Sequence, residues 1–351
     1  MAERLATRLG ASVLLIDRRP HLGGNTHDAV WRDGIRHHAY GPHIFHTNSE
    51  RVVEYLSQFT QWRPYEHKVL SRVRGQLVPI PINRSTINRL YGRSLDSSGV
   101  AAFLAERAEA FARIDNSELL IRSRVGRELY ELFFRGYTRK QWGRDPAELD
   151  ATVCGRIPVR IDDDDRYFSD RFQAMPVRGF TEMVRRMVAR DGIDIELGLT
   201  YREAIDAVRA RHVIFTGPID EYFGFRYGKL PYRSLRFEFE THAQQRYQAA
   251  ACINEPDECV PFTRTTEYAY LTEPAERTVV SREYPSASGD PYYPIPCAES
   301  RALYARYARL AALQPNVTFA GRLAEYRYYN MDQVVASALM KVDQIVRDAV
   351  A

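Results

Sequence analysis

Between residues 156 and 179 the chain concentrates groups that can hold a highly charged anion. Arg156-Ile-Pro-Val-Arg160 leads into four consecutive aspartates, Asp162 to Asp165, then Tyr167-Phe-Ser-Asp170, and the run closes on Met175-Pro-Val-Arg-Gly179. Guanidinium forks match pairs of phosphate oxygens and a phenol adds a neutral donor, so these residue types suit a diphosphate. For this stretch alone the alternative is a solvated, charged loop. Further aromatic and basic segments accompany it in order: Gly41-Pro-His-Ile-Phe-His-Thr47, Tyr137-Thr-Arg-Lys-Gln-Trp-Gly143, Tyr232-Arg-Ser-Leu235, Phe262-Thr-Arg264 and Tyr328-Tyr-Asn-Met-Asp-Gln333.

Periodicity assigns the elements that must carry these groups. Leu5 and Leu9 share a face of a short helix from Ala2 to Leu9, and Ser12 to Asp17 is an apolar run of buried parallel-strand character ending in an acid. His21-Leu-Gly-Gly-Asn25 follows, with glycines that permit close backbone approach to a ligand. A Rossmann unit opens with a strand and a Gly-x-Gly-x-x-Gly turn, whereas the sequence from Met1 starts within the first crossover helix. That strand and turn are therefore expected to be missing, and pyrophosphate affinity to be weakened with them. Val69 to Ile82 reads as strands, Ser85 to about Gly143 as helices, Phe180 to Arg190 as an amphipathic helix. Ile193 to Leu197, Val213 to Phe215 and Val317 to Arg322 read as strands, and Asp332 to Ile345 as a last helix. From Leu230 to Pro294 the text is β-rich, with clean alternation in Arg236-Phe-Glu-Phe-Glu240.

The fold expected is α/β: a discontinuous Rossmann-like FAD-binding domain with an inserted helical bundle and a mostly antiparallel β-sheet domain. The boundaries predicted are 1–66, 172–228 and 315–351 for the first, 84–150 for the bundle, and 67–83, 151–171 and 229–314 for the sheet. At 351 residues the chain exceeds what one core usually serves. A net charge of +4 is too small to argue for a nucleic-acid partner. Cys154, Cys252, Cys259 and Cys297 have neither metal-ligand spacing nor a disulfide framework, so no metal is expected and the thiols fit a reducing compartment. No signal peptide opens the sequence and no apolar run nears the ~20 residues of a membrane span. A soluble, cytoplasmic protein without a membrane partner is expected.

Taken together, the ordered segments resemble the UDP-galactopyranose mutase family, from about Ser12 to the C-terminus. The resemblance implies an isomerase that uses FAD in its reduced form, with NAD(P)H or another donor as reductant and a possible homodimer. It interconverts UDP-galactopyranose and UDP-galactofuranose, N5 of the reduced flavin attacking the anomeric carbon and displacing the nucleoside diphosphate. Cofactor chemistry of this kind asks the protein to place the sugar, hold the leaving diphosphate and exclude water.

Carried over residue by residue, the resemblance makes Arg156 and Arg264 the two sides of the diphosphate clamp. Tyr167, Tyr293 and Tyr328 match phenols that donate to phosphate oxygens, against an alternative of packing with a satisfied hydroxyl. Arg233 is either a third basic contact or a structural ion pair. Tyr137 is the stacking surface for the base and Trp142 a wall of the sugar site, with Thr138 between them. Phe133 lies four residues before Tyr137 and so on its helical face, with core packing equally natural. His67 and Asn254 match polar substrate contacts. For the flavin, Asp17 falls where a dinucleotide fold holds the ribose, and Gly23, Gly24 and Asn25 follow. His43 and Ile44 run along the ring system, where His43 could sense the redox or protonation state of the flavin, or be structural. Arg322, Tyr329, Asn330, Met331, Asp332, Gln333 and Val334 form the second flavin region at a helix N-terminus. Arg156 is expected on a loop that closes over substrate, and Arg160, unmatched to the clamp, is expected to matter much less.

Two departures from the family pattern stand out. Asn330 replaces the usual Asp, and Ala269-Tyr270 replaces a Lys-His pair. They leave open a mutase of another NDP-hexose, for example a GDP-sugar. An amine-oxidase-like flavin oxidoreductase would share the split fold, but should have an apolar site without two arginines. A flavin-less sugar-nucleotide binder is the third reading.

Overall fold

The computed structural model describes residues 1–30, 34–273 and 275–350. The chain divides into two compact units, one of 1–65, 170–230 and 303–351, the other of 66–169 and 231–302.

The first unit holds two parallel pairs, Val13–Asp17 beside Ile193–Leu197 and Val213–Phe215 beside Val317–Phe319, and antiparallel pairings of Asp28–Val30 with Arg36–His38 and of Phe172–Pro176 with Phe45–Thr47 and Trp62–Pro64. Segments 66–169 and 231–302 of the second unit lie between the parallel partners in sequence, which is why those paired strands are over a hundred residues apart. The helix Ala2–Leu9 precedes the first pair and stops at Gly10, whose φ of 60° suits a glycine C-cap. The last helix, Met331–Val350, starts one residue before the expected position and runs five beyond it. One expected strand is shorter than read: Val317–Phe319 ends before Gly321, whose φ of 88° turns the chain into a short helix, Gly321–Ala324, that carries Arg322.

Asp28 organises the same unit from below its surface. Its side chain accepts from the main-chain N–H of Phe180 (2.8 Å) and Thr181 (3.0 Å), capping the amphipathic helix Phe180–Val188. Gly179 precedes that helix at φ 85°, and a Cβ there would overlap the Asp28 carboxylate. Gly179→Ala is accordingly expected to destabilise the protein by more than about 1 kcal/mol, both from the positive φ and from displacing the cap. Thermal or urea denaturation measures this; an unchanged midpoint would show that the cap is dispensable.

The second unit holds a seven-stranded mixed sheet. Its order is Tyr293–Pro294, Tyr232–His242, Thr278–Ser286, Arg264–Glu267, Cys252–Asn254, Val69–Val73 and Gln76–Ile80. Only the Cys252–Asn254 and Val69–Val73 pair is parallel. Helices Arg84–Tyr91, Ser97–Arg107 and Ser117–Tyr130 belong to this unit, followed by a π-turn at Glu131–Arg135 and the helix Gly136–Trp142. A helix over Ala298–Ala311 lies within the 229–314 segment that the sequence reads as sheet.

Candidate active site

Arg264 opens the strand Arg264–Glu267 and stands opposite Glu283 of the neighbouring antiparallel strand. Cross-strand partners face each other, so the register alone brings the charges together. Arg264 Nε donates to Glu283 Oε2 (2.9 Å) and Nη2 to Oε1 (3.2 Å), a fork that leaves the carboxylate 3% exposed. Burial pulls the Arg264 pKa down, and the Glu283 carboxylate, helped by Tyr137 and Tyr293, more than offsets it, so the guanidinium stays charged.

Tyr137 lies in the electrostatic neighbourhood of Arg264, Glu283, Tyr167 and Tyr293. Burial raises its pKa further from neutrality, so the phenol is a proton donor at neutral pH, not a base. Trp142 is buried with its ring 6.0 Å from that of Tyr293. Thr138 is buried, its Oγ1 3.5 Å from Cys154 Sγ. His67 is buried, stacked on Phe168 at 5.9 Å and edge-on to Tyr167 at 5.8 Å, and its carbonyl accepts from Tyr167 N (2.7 Å). Asn254, also buried, is the register partner of Arg264 on one side and of Ser71 on the other.

Phe133 lies in the π-turn Glu131–Arg135 and is packed in the core at 3% exposure, the alternative open for it, while Tyr137 is half-buried. Arg233 has main-chain partners instead of an ion-pair partner among the described residues. It donates from Nε to the Gln141 carbonyl (2.9 Å) and from Nη2 to that of Lys140 (3.1 Å), closing the C-terminal end of Gly136–Trp142.

Arg156 is exposed and caps the four-residue helix Thr152–Gly155, just ahead of the irregular stretch that the sequence assigns to it. The four aspartates that follow are not merely solvated. Asp163 pairs with Arg84, Asp164 with Arg166 (2.9 Å) and Asp165 with Lys68 (2.9 Å), while the Asp162 carbonyl accepts from Arg84 N (2.9 Å). Arg166 holds the Asp164 carboxyl down at about 2. Arg160 sits at the centre of this loop, its guanidinium donating to the carbonyls of Asp164 (3.1 Å), Arg166 and Phe168 (3.5 Å) and to Ser169 Oγ (2.9 Å).

The remaining candidates belong to the other unit. Gly23 and Gly24 have φ of 91° and 53°, and Asn25 Oδ1 accepts from Arg19 Nη1 (2.8 Å). Asp17 Oδ1 accepts from Arg19 N (2.8 Å). His43 N donates to His38 Nδ1 (2.9 Å), which fixes the proton of the neutral His38 ring on Nε2. Burial keeps His38 neutral by lowering its pKa well below the usual value. Ile44, next to His43 in sequence, is buried. Arg322 lies 5.5 Å from the Tyr328 ring centre and donates to the Tyr329 carbonyl (2.6 Å). Asn330 caps the helix Met331–Val350: its carbonyl accepts from Val334 N (3.1 Å) and Gln333 Oε1 accepts from Asn330 N (2.9 Å). Asp332 accepts from Thr47 Oγ1 (2.9 Å) with Oδ2, while its Oδ1 is buried without a hydrogen-bond partner among the described residues.

A family profile described as UDP-galactopyranose mutase matches residues 132–328, and one described as an NAD(P)-binding Rossmann-like domain matches residues 1–59. A protein from Klebsiella pneumoniae named probable UDP-galactopyranose mutase is 40% identical over 99% of this chain and 91% of its own length. The chain belongs to the UDP-galactopyranose mutase family. An Escherichia coli relative named dTDP-fucopyranose mutase is 36% identical over 96% of this chain and 92% of its own length. The crystal structure of a reduced UDP-galactopyranose mutase superposes with a TM-score of 0.79 at 16% identity, over 98% of this chain and 92% of that one, which shows the fold.

Within the family pattern, Tyr270 takes up a role of its own. Its hydroxyl donates to the Gln248 carbonyl (2.9 Å), and Gln248 Oε1 accepts from Thr265 Oγ1 (2.8 Å), so neutral bonds brace the strand that begins at Arg264. Sequence reasoning missed Glu283 and Lys140. For Glu283 a signal existed, since a carboxylate inside the buried run Thr278–Ser281 and Glu283 needs a cation. Among the described residues no helix is long and apolar enough to cross a membrane, and no cluster of His, Cys, Asp or Glu could hold a metal.

Proposed function

We propose that this chain interconverts UDP-galactopyranose and UDP-galactofuranose with FAD in its reduced state. The observation that carries the reading is the Arg264–Glu283 ion pair with Tyr137 and Tyr293 in its electrostatic neighbourhood and Tyr167 in that of Tyr137. Support for a flavin comes from the first unit. The buried, unpartnered Asp332 Oδ1 asks for a donor, and Gly23 and Gly24 hold backbone conformations that leave main-chain groups approachable. Those residues, with Asp17, Asn25, His43, Ile44, Arg322 and the start of Met331–Val350, would hold the cofactor. Reduced FAD supplies a nucleophile for the anomeric carbon.

The protein's own share is electrostatic. Arg264 meets the charge that grows on the departing diphosphate, and Glu283 keeps its plane fixed, so little reorganisation accompanies bond breaking. Tyr137 stays protonated and donates. Tyr167 and Tyr293 are assigned the same task, with Arg156 as the second basic side of the grip. Trp142, Thr138, His67 and Asn254 bound the sugar and nucleoside, whereas Phe133 and Arg233 act through packing and through the helix end.

The purified protein is expected to convert UDP-galactofuranose to the pyranose form after reduction by dithionite or NAD(P)H, to be inactive when oxidised, and to consume no reductant stoichiometrically. Equal turnover in both states would sink the flavin-nucleophile reading. The Asn330 departure and the 36% relative support a second reading, a thymidine-linked deoxysugar as substrate. Comparing kcat/KM for UDP-galactofuranose and dTDP-fucofuranose decides between the two.

A further inference from the structure

Lys140 has an unusual set of partners. Its Nζ lies 2.5 Å from the carbonyl of Glu255, 2.7 Å from Asp257, 2.9 Å from Val260 and 2.9 Å from Phe262. Four acceptors converge on three N–H groups, so at least one proton is shared. The neighbouring carboxylates are engaged elsewhere: Glu255 with Arg72 (3.0 Å), Glu258 with Arg139 (3.2 Å), and Asp257 with the main-chain N–H of Cys259 (2.9 Å). Among the described residues the ammonium forms no salt bridge, and its hydrogen-bond partners are main-chain carbonyls. It fills a carbonyl cage of the kind that would otherwise take a desolvated monovalent cation.

One turn earlier on the same helix face, Gly136 meets the same segment. A Cβ at Gly136 would overlap the Pro256 carbonyl oxygen. Positions four apart share a face, so glycine lets the segment approach and lysine seizes it. What this junction joins matters. The helix Gly136–Trp142 carries Tyr137 and Trp142, and the segment 255–262 links Asn254 to Thr263 and Arg264. Its ends are already tied, Glu255 N donating to the Thr263 carbonyl (2.9 Å).

We propose that Lys140 is a positioning residue that locks the helix bearing Tyr137 to the segment leading into Arg264, setting the spacing of phenol and guanidinium on the diphosphate. The diphosphate part rests on the function proposed above. A misplacement of about 1 Å costs roughly 100-fold in rate, so a loose junction leaves both groups present and poorly aimed. A guanidinium is planar and cannot converge on four carbonyls as an ammonium does.

The test uses the full chain with Lys140→Met, Lys140→Arg and Lys140→Ala, the last with and without n-propylammonium. Both Met and Arg should lower kcat/KM with UDP-galactofuranose by roughly 100-fold. Amide exchange across 255–263 should accelerate in each, and n-propylammonium should slow it again in the Ala variant and restore part of the activity. Gly136→Ala keeps the lysine but wedges the same junction, and should give the same pattern more mildly. Wild-type exchange in Lys140→Met or in Gly136→Ala overturns the proposal, as does full activity in Lys140→Arg. If the wild type turns over no UDP-sugar while exchange responds as described, the junction stands and the substrate reading falls.

Discussion

Replacing Arg264 by alanine is expected to do two separable kinds of damage. The first is chemical: removing a preorganised cationic fork from a leaving diphosphate should lower kcat by roughly 100- to 1,000-fold. The second is structural. Glu283, 3% exposed, would be left as a buried carboxylate without its fork, and breaking such a pair costs about 3–5 kcal/mol. The two effects come apart in Arg264→Ala combined with Glu283→Gln, which should regain much of the stability and none of the rate. Arg264→Lys should rescue in part, because it supplies charge without the planar fork that fits Glu283. Urea denaturation and steady-state kinetics on the same preparations read both quantities. A kcat near wild type for Arg264→Ala would remove Arg264 from the diphosphate grip.

The regular elements are readable because their patterns are local. Arg236-Phe-Glu-Phe-Glu240 alternates and lies in a strand, and the apolar runs ending at Asp17 and Leu197 are parallel partners. Harder to read was anything fixed by register or by main-chain acceptors. Glu283 meets Arg264 only because two strands pair in one alignment and not in its neighbour. Lys140 looks like the polar face of a short helix, since carbonyl acceptors leave no trace in residue types. Phe133 lies in the π-turn Glu131–Arg135, which is not written in any single residue. Arg233 reads from the sequence as a third basic contact or a structural ion pair, and the helix carbonyls to which it donates leave no trace in residue types.

The neighbouring arginines Arg156 and Arg160 should give opposite signatures. Arg156 is exposed at the end of a four-residue helix, so Arg156→Ala should leave the denaturation midpoint near wild type. If it is the second side of the grip, kcat falls by roughly 100- to 1,000-fold. Arg160 reads as dispensable from the sequence, being unmatched to the clamp, and for direct contact with substrate that expectation is kept. Stability is another matter. Its guanidinium, 11% exposed, gathers three carbonyls and the Ser169 hydroxyl of the loop that carries Tyr167. Hydrogen bonds from a charged donor contribute about 1.5–3 kcal/mol each before losses to relaxation. Arg160→Ala is therefore expected to cost on the order of 3 kcal/mol in stability, and kcat only about 10-fold through a displaced Tyr167. Arg160→Lys should recover little of this, since three N–H groups on one nitrogen cannot span acceptors spread along residues 164–169. Measured side by side, a large rate loss with no stability loss at Arg156, and the reverse at Arg160, separates gripping the anion from holding the loop. Equal rate losses at both positions would mean that the grip is assigned to the wrong arginine.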